Sequence, residues 1–356
     1  MAGIFKWMDF SDLDINDPFF DSLKADYEEF PTWFAKKSSS GAQALVSIDD
    51  VGVSSFLYLK EENEDVELQE AVLHAEPRIK IGTFKLSERT SGNRQGEGTL
   101  GIALWRWQQM KVNQIYVTIF EKHDVLIRLF EKYGFILAGH NTRGERVYVK
   151  DRRNIDWSDA YKAFPFIHRG FRHAFLLPIE DGFHDQLFPY SGLYRNGLEV
   201  EEIAAGNGMS KVFIGSPFQR VSYEVGKPIL VYRIHTGTQK KTYASCITSF
   251  CTIQGVTWVK TGGMIKKSFD DFKTLVRNKA VFTEQELREI YDNKRNIVVL
   301  ELAYNGYFGP GHNVIHHWLD ENGLFPDYPY QIKYTEDEFI RILQEAEVDV
   351  QNVVVD

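Results

Sequence analysis

The alternation of apolar and polar positions changes period several times along the chain, and each change marks an element. In residues 18–37 (PFFDSLKADYEEFPTWFAKK) apolar positions recur at helical spacing. Asp17 suits an N-cap with Pro18 at the first helical position, and Pro31 divides the region into two short helices. AQALVSID and GVSSFLYLK read as strands, and Asp49-Asp50-Val51-Gly52 between them makes a hairpin turn. After the acidic run Glu61–Glu70, RIKIGTFKL (78–86) alternates with period two and predicts a strand. The polar, glycine-rich SERTSGNRQGEG (87–98) leads into helical spacing over residues 99–111. NQIYVTIF (113–120) predicts a buried strand, and HDVLIRLFEKYG (123–134) a helix ending on Gly134. FILAGH and ERVYVKD close this part as a hairpin across Asn141–Gly144.

The texture then changes. DRRNIDWSDAYKAFP is polar and ends in proline, so a boundary near Asp156 divides the chain into residues 1–155 and 156–356. PILVYRIH and TYASCITSFCTI flank the turn-like TGTQKK as a long hairpin. VKTGGMIKKS reads as a loop, FDDFKTLVRN and TEQELREIYDNK as helices, NIVVLELAYN as a strand and EDEFIRILQEA as a helix. No internal repeat or low-complexity tract interrupts them.

Composition narrows the classes. A chain of 356 residues, 43% hydrophobic and 26% charged, is globular, and two domains is its leading reading. No apolar run reaches the ~18 residues of a membrane span, and MAGIFKWMDFSDLDIND lacks the apolar core of a signal peptide. Two cysteines, Cys246 and Cys251, are too few for a disulfide framework or a four-cysteine zinc site. The expectation is a soluble, cytoplasmic protein with no membrane partner. Net charge is −9 but segregated: residues 1–70 hold 5 Lys/Arg against 16 Asp/Glu, residues 71–150 hold 13 against 7, and residues 206–279 hold 12 against 3.

The chemistry-bearing unit is strand, glycine loop, helix, strand, helix over residues 78–134. Glycines at Asn93-Arg94-Gln95-Gly96-Glu97-Gly98 let backbone N–H groups approach an anion where a helix begins, and the helix dipole adds to the attraction. A P-loop is excluded because no Gly-Lys-Ser/Thr follows, and the dinucleotide fingerprint G-x-G-x-x-G is not satisfied.

The segment resembles the GNAT family of N-acetyltransferases. Asn93-x-x-Gly96-x-Gly98 stands where that family has R/Q-x-x-G-x-G/A, and Leu129-Phe130-Glu131-Lys132-Tyr133-Gly134-Phe135 resembles the end of its last motif helix. The likeness covers about residues 1–150. It implies an acetyl-CoA site in which the loop (Asn93, Arg94, Gln95, Gly96, Glu97, Gly98) holds the pyrophosphate. The backbone of Phe84, Lys85 and Leu86 would hold the pantetheine and polarise the thioester. The family's leaving-group tyrosine maps to Phe130, which cannot donate a proton, and its asparagine to His123; no glutamate lies in strand 79–86. The proton donor is therefore His123, Tyr133 or water.

In the second half, His184 reads as structural, and His312, His316 and His317 lack an obvious further metal ligand, so no metal is expected. Cys246 and Cys251, five apart on one strand, point to opposite faces. The strand pattern from Gly226 onward resembles a PUA-like barrel of the ASCH or EVE kind. That implies an RNA partner, with Lys240, Lys241, Lys266 and Lys267 on phosphates and Tyr232, Tyr243 or Trp258 stacking on bases. The fold expected is therefore α+β or α/β, a mixed-sheet GNAT domain followed by a PUA-like β-barrel domain with helices. The activity expected is acetyl transfer to an amine carried on RNA or aminoacyl-tRNA, as in the family's toxins, delivered by the C-terminal domain; one alternative is a protein or small-molecule N-acetyltransferase whose second domain binds a partner. A non-enzymatic nucleic-acid reader is the other.

Overall fold

The computed structural model describes residues 5–193, 204–218, 221–326 and 328–356. The chain folds as two compact units, Met1–Asn154 and Ile155–Asp356.

Unit 1 is a seven-stranded mixed sheet flanked by helices. Its elements are β1 (Lys6–Asp9), α1 (Asp21–Asp26), α2 (Phe30–Ser39), β2 (Gln43–Asp49), β3 (Gly52–Glu62), β4 (Arg78–Leu86), α3 (Gln95–Met110), β5 (Gln114–Ile119), α4 (Asp124–Lys132), β6 (Ile136–His140) and β7 (Arg146–Asp151). The strand order is β1-β2-β3-β4-β5-β7-β6. Asp17 caps the chain turn before α1 by accepting from the Phe19 N–H at 2.8 Å, and Pro31 opens α2. One face of the sheet carries a cluster of aromatic rings, in which Phe10 meets Phe56 at 5.5 Å and Phe20 meets Phe56 at 5.3 Å. Within α3, Leu100, Ala103, Leu104 and Trp107 are buried.

Two sequence expectations shift. The strand β1 was not foreseen, and α3 begins at Gln95, four residues before the apolar spacing starts. Gly96 and Gly98 lie inside its first turn. Glycine is a poor helix former, so the pattern hides this turn.

The one parallel pair in this sheet, β4 with β5, sets up the site. Its ladder runs only over Arg78↔Gln114 to Ile81↔Val117. On its other edge β4 stays paired to β3 as far as Leu86↔Ser55, with a bulge opposite Tyr58/Leu59. Residues 82–86 therefore have a ladder on one edge only, and the sheet parts between β4 and β5.

Unit 2 is a second mixed sheet. Its main strands are β8 (Ala174–Glu180), β9 (Ser210–Gly215), β10 (Pro228–Ile234), β11 (Cys246–Thr261), β12 (Ile297–Tyr307) and β13 (Lys333–Tyr334), ordered β9-β12-β11-β10-β8-β13. β8 and β10 are parallel and the other neighbours antiparallel. The expected hairpin β10–β11 is present. Three register shifts between β11 and β12 add twist and bend to the longest strand. The segment read as a loop is a tight hairpin, with Thr261↔Met264 closing a Gly262-Gly263 turn. Both glycines have positive φ, 60° and 90°, which a side chain would disfavour. Helices Phe269–Val276, Glu284–Asn293 and Glu336–Glu345 each begin with a capping box, on Ser268, Thr283 and Thr335.

Candidate active site

The parted strands open into a cavity of about 1740 Å³ in unit 1. Its walls include Gly82 to Leu86 of β4, the loop to Gly92, and Arg94 to Glu97 at the start of α3. Of the sequence-derived cofactor residues, Phe84, Lys85, Leu86, Arg94, Gln95, Gly96 and Glu97 thus line one space. Asn93 and Gly98 are not among the lining residues.

Each wall follows from local chemistry. On β4, every second backbone group of residues 82–86 faces away from β3, toward the parting. The Lys85 ammonium is held by the Ser22 hydroxyl and lies 4.9 Å over the Phe19 ring. Burial lowers its pKa. At the loop, Arg94 takes left-handed backbone (φ 59°) to turn the chain into α3. A Cβ on Gly96 would lie 2.6 Å from Leu86 Cδ1, so glycine keeps the helix start close to the strand. The Gln95 side chain is 1% exposed, yet neither its Oε1 nor its Nε2 has a hydrogen-bond partner within the protein. Buried amide groups are ordinarily satisfied, so this one is an exception in the wall.

Glu97, expected in the pyrophosphate loop, is the hub of a buried network. It pairs with Arg94, with the Lys132 ammonium at 2.6 Å and with the Tyr133 hydroxyl, which donates at 2.5 Å. This corrects the role of Tyr133. The ring is wholly buried, its hydroxyl is engaged by Glu97 and its backbone carbonyl accepts from Lys150. It does not line the cavity, and it supports the loop. Phe130 is likewise core, against Phe84 at 5.5 Å and Phe135 at 5.0 Å.

His123 does line the cavity, as the N-cap residue of α4. Its Nε2 is 3.9 Å from the Asp26 carboxylate, which also holds Lys122 at 2.6 Å. Burial, and next the Lys122 charge, hold the imidazole pKa below its ordinary value, against the pull of Asp26. A ring that is mostly neutral near pH 7 suits accepting a proton better than donating one. Asp26 itself, Tyr27 and Glu145 also face the cavity, and sequence reasoning missed them. They come from the α1–α2 turn and the start of β7, and no motif spacing joins them.

No protein-family model matches the chain, and a search of the curated proteins gives no match. Solved structures do align. An ASCH protein from Zymomonas mobilis (a mutant form) aligns over 49% of this chain and 96% of its own, at 10% identity and a TM-score of 0.32. An N-acetyltransferase from Staphylococcus aureus aligns over 43% and 99%, at 13% identity and 0.33. A GNAT family N-acetyltransferase from Escherichia coli in complex with CoA aligns over 43% and 82%, at 13% identity and 0.31.

In unit 2 the four lysines are exposed. Lys240 and Lys241 precede β11, whereas Lys266 and Lys267 follow it and fold back beside Val259. Of the three aromatic candidates, Tyr232 is core, with its hydroxyl 2.9 Å from His316 Nδ1, and cannot stack on a base. Tyr243 is 58% exposed beside the first lysine pair, and Trp258 is half-buried. His312, His316 and His317 face different partners, Glu347, Tyr232 and Glu321. Both thiols are buried, and burial pushes Cys246 up to about 12.

His184 is indeed structural. It is wholly buried, with Nδ1 2.8 Å from Asp185 and Nε2 2.8 Å from the Thr248 hydroxyl. Asp185 in turn takes a bidentate pair from Arg233 at 2.7 and 2.8 Å. Burial lowers the His184 pKa, outweighing Asp185. The unfolded chain therefore binds the proton first, and the stability this residue contributes is full above about pH 6.5 and lost as pH falls below it. The urea midpoint of unit 2 unfolding is expected to drop between pH 7.5 and 5.5, more in the wild type than in His184→Gln. A drop of the same size in both proteins would contradict this.

Proposed function

We propose that unit 1 is an acetyl-CoA-dependent N-acetyltransferase acting on an amine. The observation that carries the reading is the parted β4–β5 pair with a glycine-bearing helix start at its mouth. The fit is chemical: one open strand edge offers N–H and C=O groups to an amide-rich chain. The N-terminus of α3 offers amides to a pyrophosphate, with the unpartnered Gln95 amide beside them. Arg128 and Lys132 line the same wall, paired with Asp124 at 2.5 Å and Glu97 at 2.6 Å. When bound, acetyl-CoA supplies the activated acetyl group. The protein's part is to hold the thioester carbonyl against the β4 backbone, exclude water and place an amine beside it. His123 is positioned to accept the proton the amine sheds, and water then remains to protonate the thiolate.

The test is calorimetric titration with acetyl-CoA, followed by thiol release in the presence of small amines, total protein or total tRNA. No heat and no thiol release would remove the assignment.

For unit 2 we propose a PUA-like, RNA-binding role, supported by the exposed lysine pairs and Tyr243. The pairs lie at the two ends of β11, and each double change, Lys240→Glu with Lys241→Glu or Lys266→Glu with Lys267→Glu, is expected to lower RNA binding. Each should lower the log–log salt slope of RNA binding by roughly 1.4–1.8, two phosphate contacts' worth. Filter binding over a salt series measures it. Wild-type slopes in both variants would refute the RNA face, and acetyl-CoA binding should be untouched in either.

A further inference from the structure

The far end of β11 carries bare apolar side chains that neither acetyl transfer nor RNA phosphate calls for. Beyond Thr261 the strand turns through Gly262-Gly263 into Met264 and Ile265, which are 62% and 59% exposed. The turn is pinned. The Gly262 N–H donates to Asn296 Oδ1 at 2.7 Å, and the Gly263 N–H to the Arg295 carbonyl at 2.8 Å. Asn296 also fixes the stretch before Phe218. Its Nδ2 donates to the Pro217 carbonyl at 2.9 Å, and its own carbonyl accepts from the Ser216 hydroxyl at 2.7 Å. Phe218 is 90% exposed. One asparagine thus ties both apolar segments to one place.

The same place is basic. Lys266, Lys267, Lys294 and Arg295 are exposed, and among the described residues none of them forms an ion pair. Asp271, which feels the Lys267 charge, closes the capping box with Ser268, and Asp270 pairs with Lys273 at 3.5 Å. Met264 and Ile265 are successive strand residues and point to opposite faces, so both faces of the tip are apolar. The lysines come next in the chain, and the Lys266 ammonium reaches back to the Met264 sulfur at 3.1 Å. Apolar side chains at a turn with cations directly behind them match the layers of an anionic bilayer, acyl boundary and then phosphate.

Other occupants fit less well. The three apolar residues expose roughly 400 Å² together, half of the about 800 Å² a side that a standard protein interface buries. A nucleic acid would use the cations and the Phe218 ring, but aliphatic side chains on both faces of a hairpin give bases nothing to stack on. The two N–H groups of the turn already have partners, as a loop entering an apolar layer requires.

We propose that this tip docks unit 2 on the surface of an anionic membrane, with Phe218, Met264 and Ile265 entering the acyl boundary and the four cations at lipid phosphate. No helix of the described residues is long and apolar enough to cross a membrane, and surface attachment needs none. Docking of this kind depends on neither the acetyl-transfer nor the RNA reading. Lys266 and Lys267, given to RNA phosphate above, meet lipid phosphate here, so the two ligands exclude one another at this end of β11.

The probe is sedimentation of the full chain with phosphatidylcholine vesicles, with and without about 30% phosphatidylserine. The chain should bind the mixed vesicles and leave the neutral ones. Each cation near an anionic leaflet is worth roughly fivefold in affinity, so Lys294→Gln with Arg295→Gln should weaken binding roughly 25-fold. Phe218→Ser with Met264→Ser and Ile265→Ser should weaken it at least as much, although every lysine remains. Should that triple variant not fold, a polarity-sensitive dye on Met264→Cys decides. Its emission should shift to the blue on mixed vesicles, and the chain's own thiols are buried and stay unlabelled. No sedimentation with mixed vesicles, or no blue shift, would overturn the proposal. So would a triple variant within threefold of wild-type vesicle affinity; if that variant also loses RNA affinity, the tip is an RNA surface instead.

Discussion

Gly96→Glu is expected to lower acetyl-CoA affinity at least 100-fold while the fold survives. The new Cβ falls 2.6 Å from the Leu86 methyl and 3.5 Å from Leu129, so a side chain must leave through the space beside the α3 N-terminus. There it fills the place of the pyrophosphate and presents a like charge to it. Gly96 has no positive φ, and a helical glycine replaced by a better helix former gains about 0.5–1 kcal/mol, which offsets part of the strain. Far-ultraviolet dichroism should therefore be native while calorimetry shows no heat. Gly96→Ala, which adds only the Cβ, should reduce affinity far less, since Leu86 can swing its methyl aside. Equal acetyl-CoA affinity in Gly96→Glu and wild type would mean that the cofactor does not use this helix start.

The second large effect belongs to Glu97. Its side chain is 8% exposed and holds Arg94, Lys132 and Tyr133 together. Glu97→Ala removes the shared anion and leaves two cations facing each other. Breaking a buried pair costs about 3–5 kcal/mol; the lower end applies here, because Lys132 is about a third exposed and can turn to solvent. Urea unfolding of unit 1 should show a loss near 3 kcal/mol. Acetyl-CoA affinity should fall with it, because Arg94 sets the left-handed corner of the loop. Tyr133→Phe loses one charge-assisted hydrogen bond, about 1.5–3 kcal/mol, and should keep kcat within threefold. A Tyr133→Phe protein of undiminished stability with kcat down by roughly 10-fold or more would restore this hydroxyl as the proton donor.

What the sequence disclosed depended on whether a residue's role was local. The β4 strand, the glycine corner and helix α4 with its Gly134 terminus each announce themselves within about ten residues, so these elements of the cavity wall are legible in the sequence. Gly96 and Gly98 obscured where α3 starts, since glycine weakens the signal of the turn it occupies. The distinction between Phe130, Tyr133 and His123 was not local. Which of three neighbours on one short helix faces the cavity depends on how α4 lies on the sheet, and only His123 does. Asp26 and Glu145 are 119 positions apart and meet the same cavity only because the α1–α2 turn and the β6–β7 hairpin converge there. The two lysine pairs read as one basic stretch, and the structure sets them before and after the sixteen-residue strand β11.

The short β4–β5 ladder also bears on how unit 1 holds together. Four residue pairs are all that join β1–β4 to β5–β7 within the sheet. A molecule lying in the parting and bonded to the free edge of β4 stands in for the missing rungs, so it becomes part of the architecture as well as a reactant. Its binding energy is then added to cohesion between the two half-sheets, about 2.7 kcal/mol at a hundredfold excess over Kd. On the acetyl-transfer reading, the durability of this domain would rise and fall with the supply of acetyl-CoA.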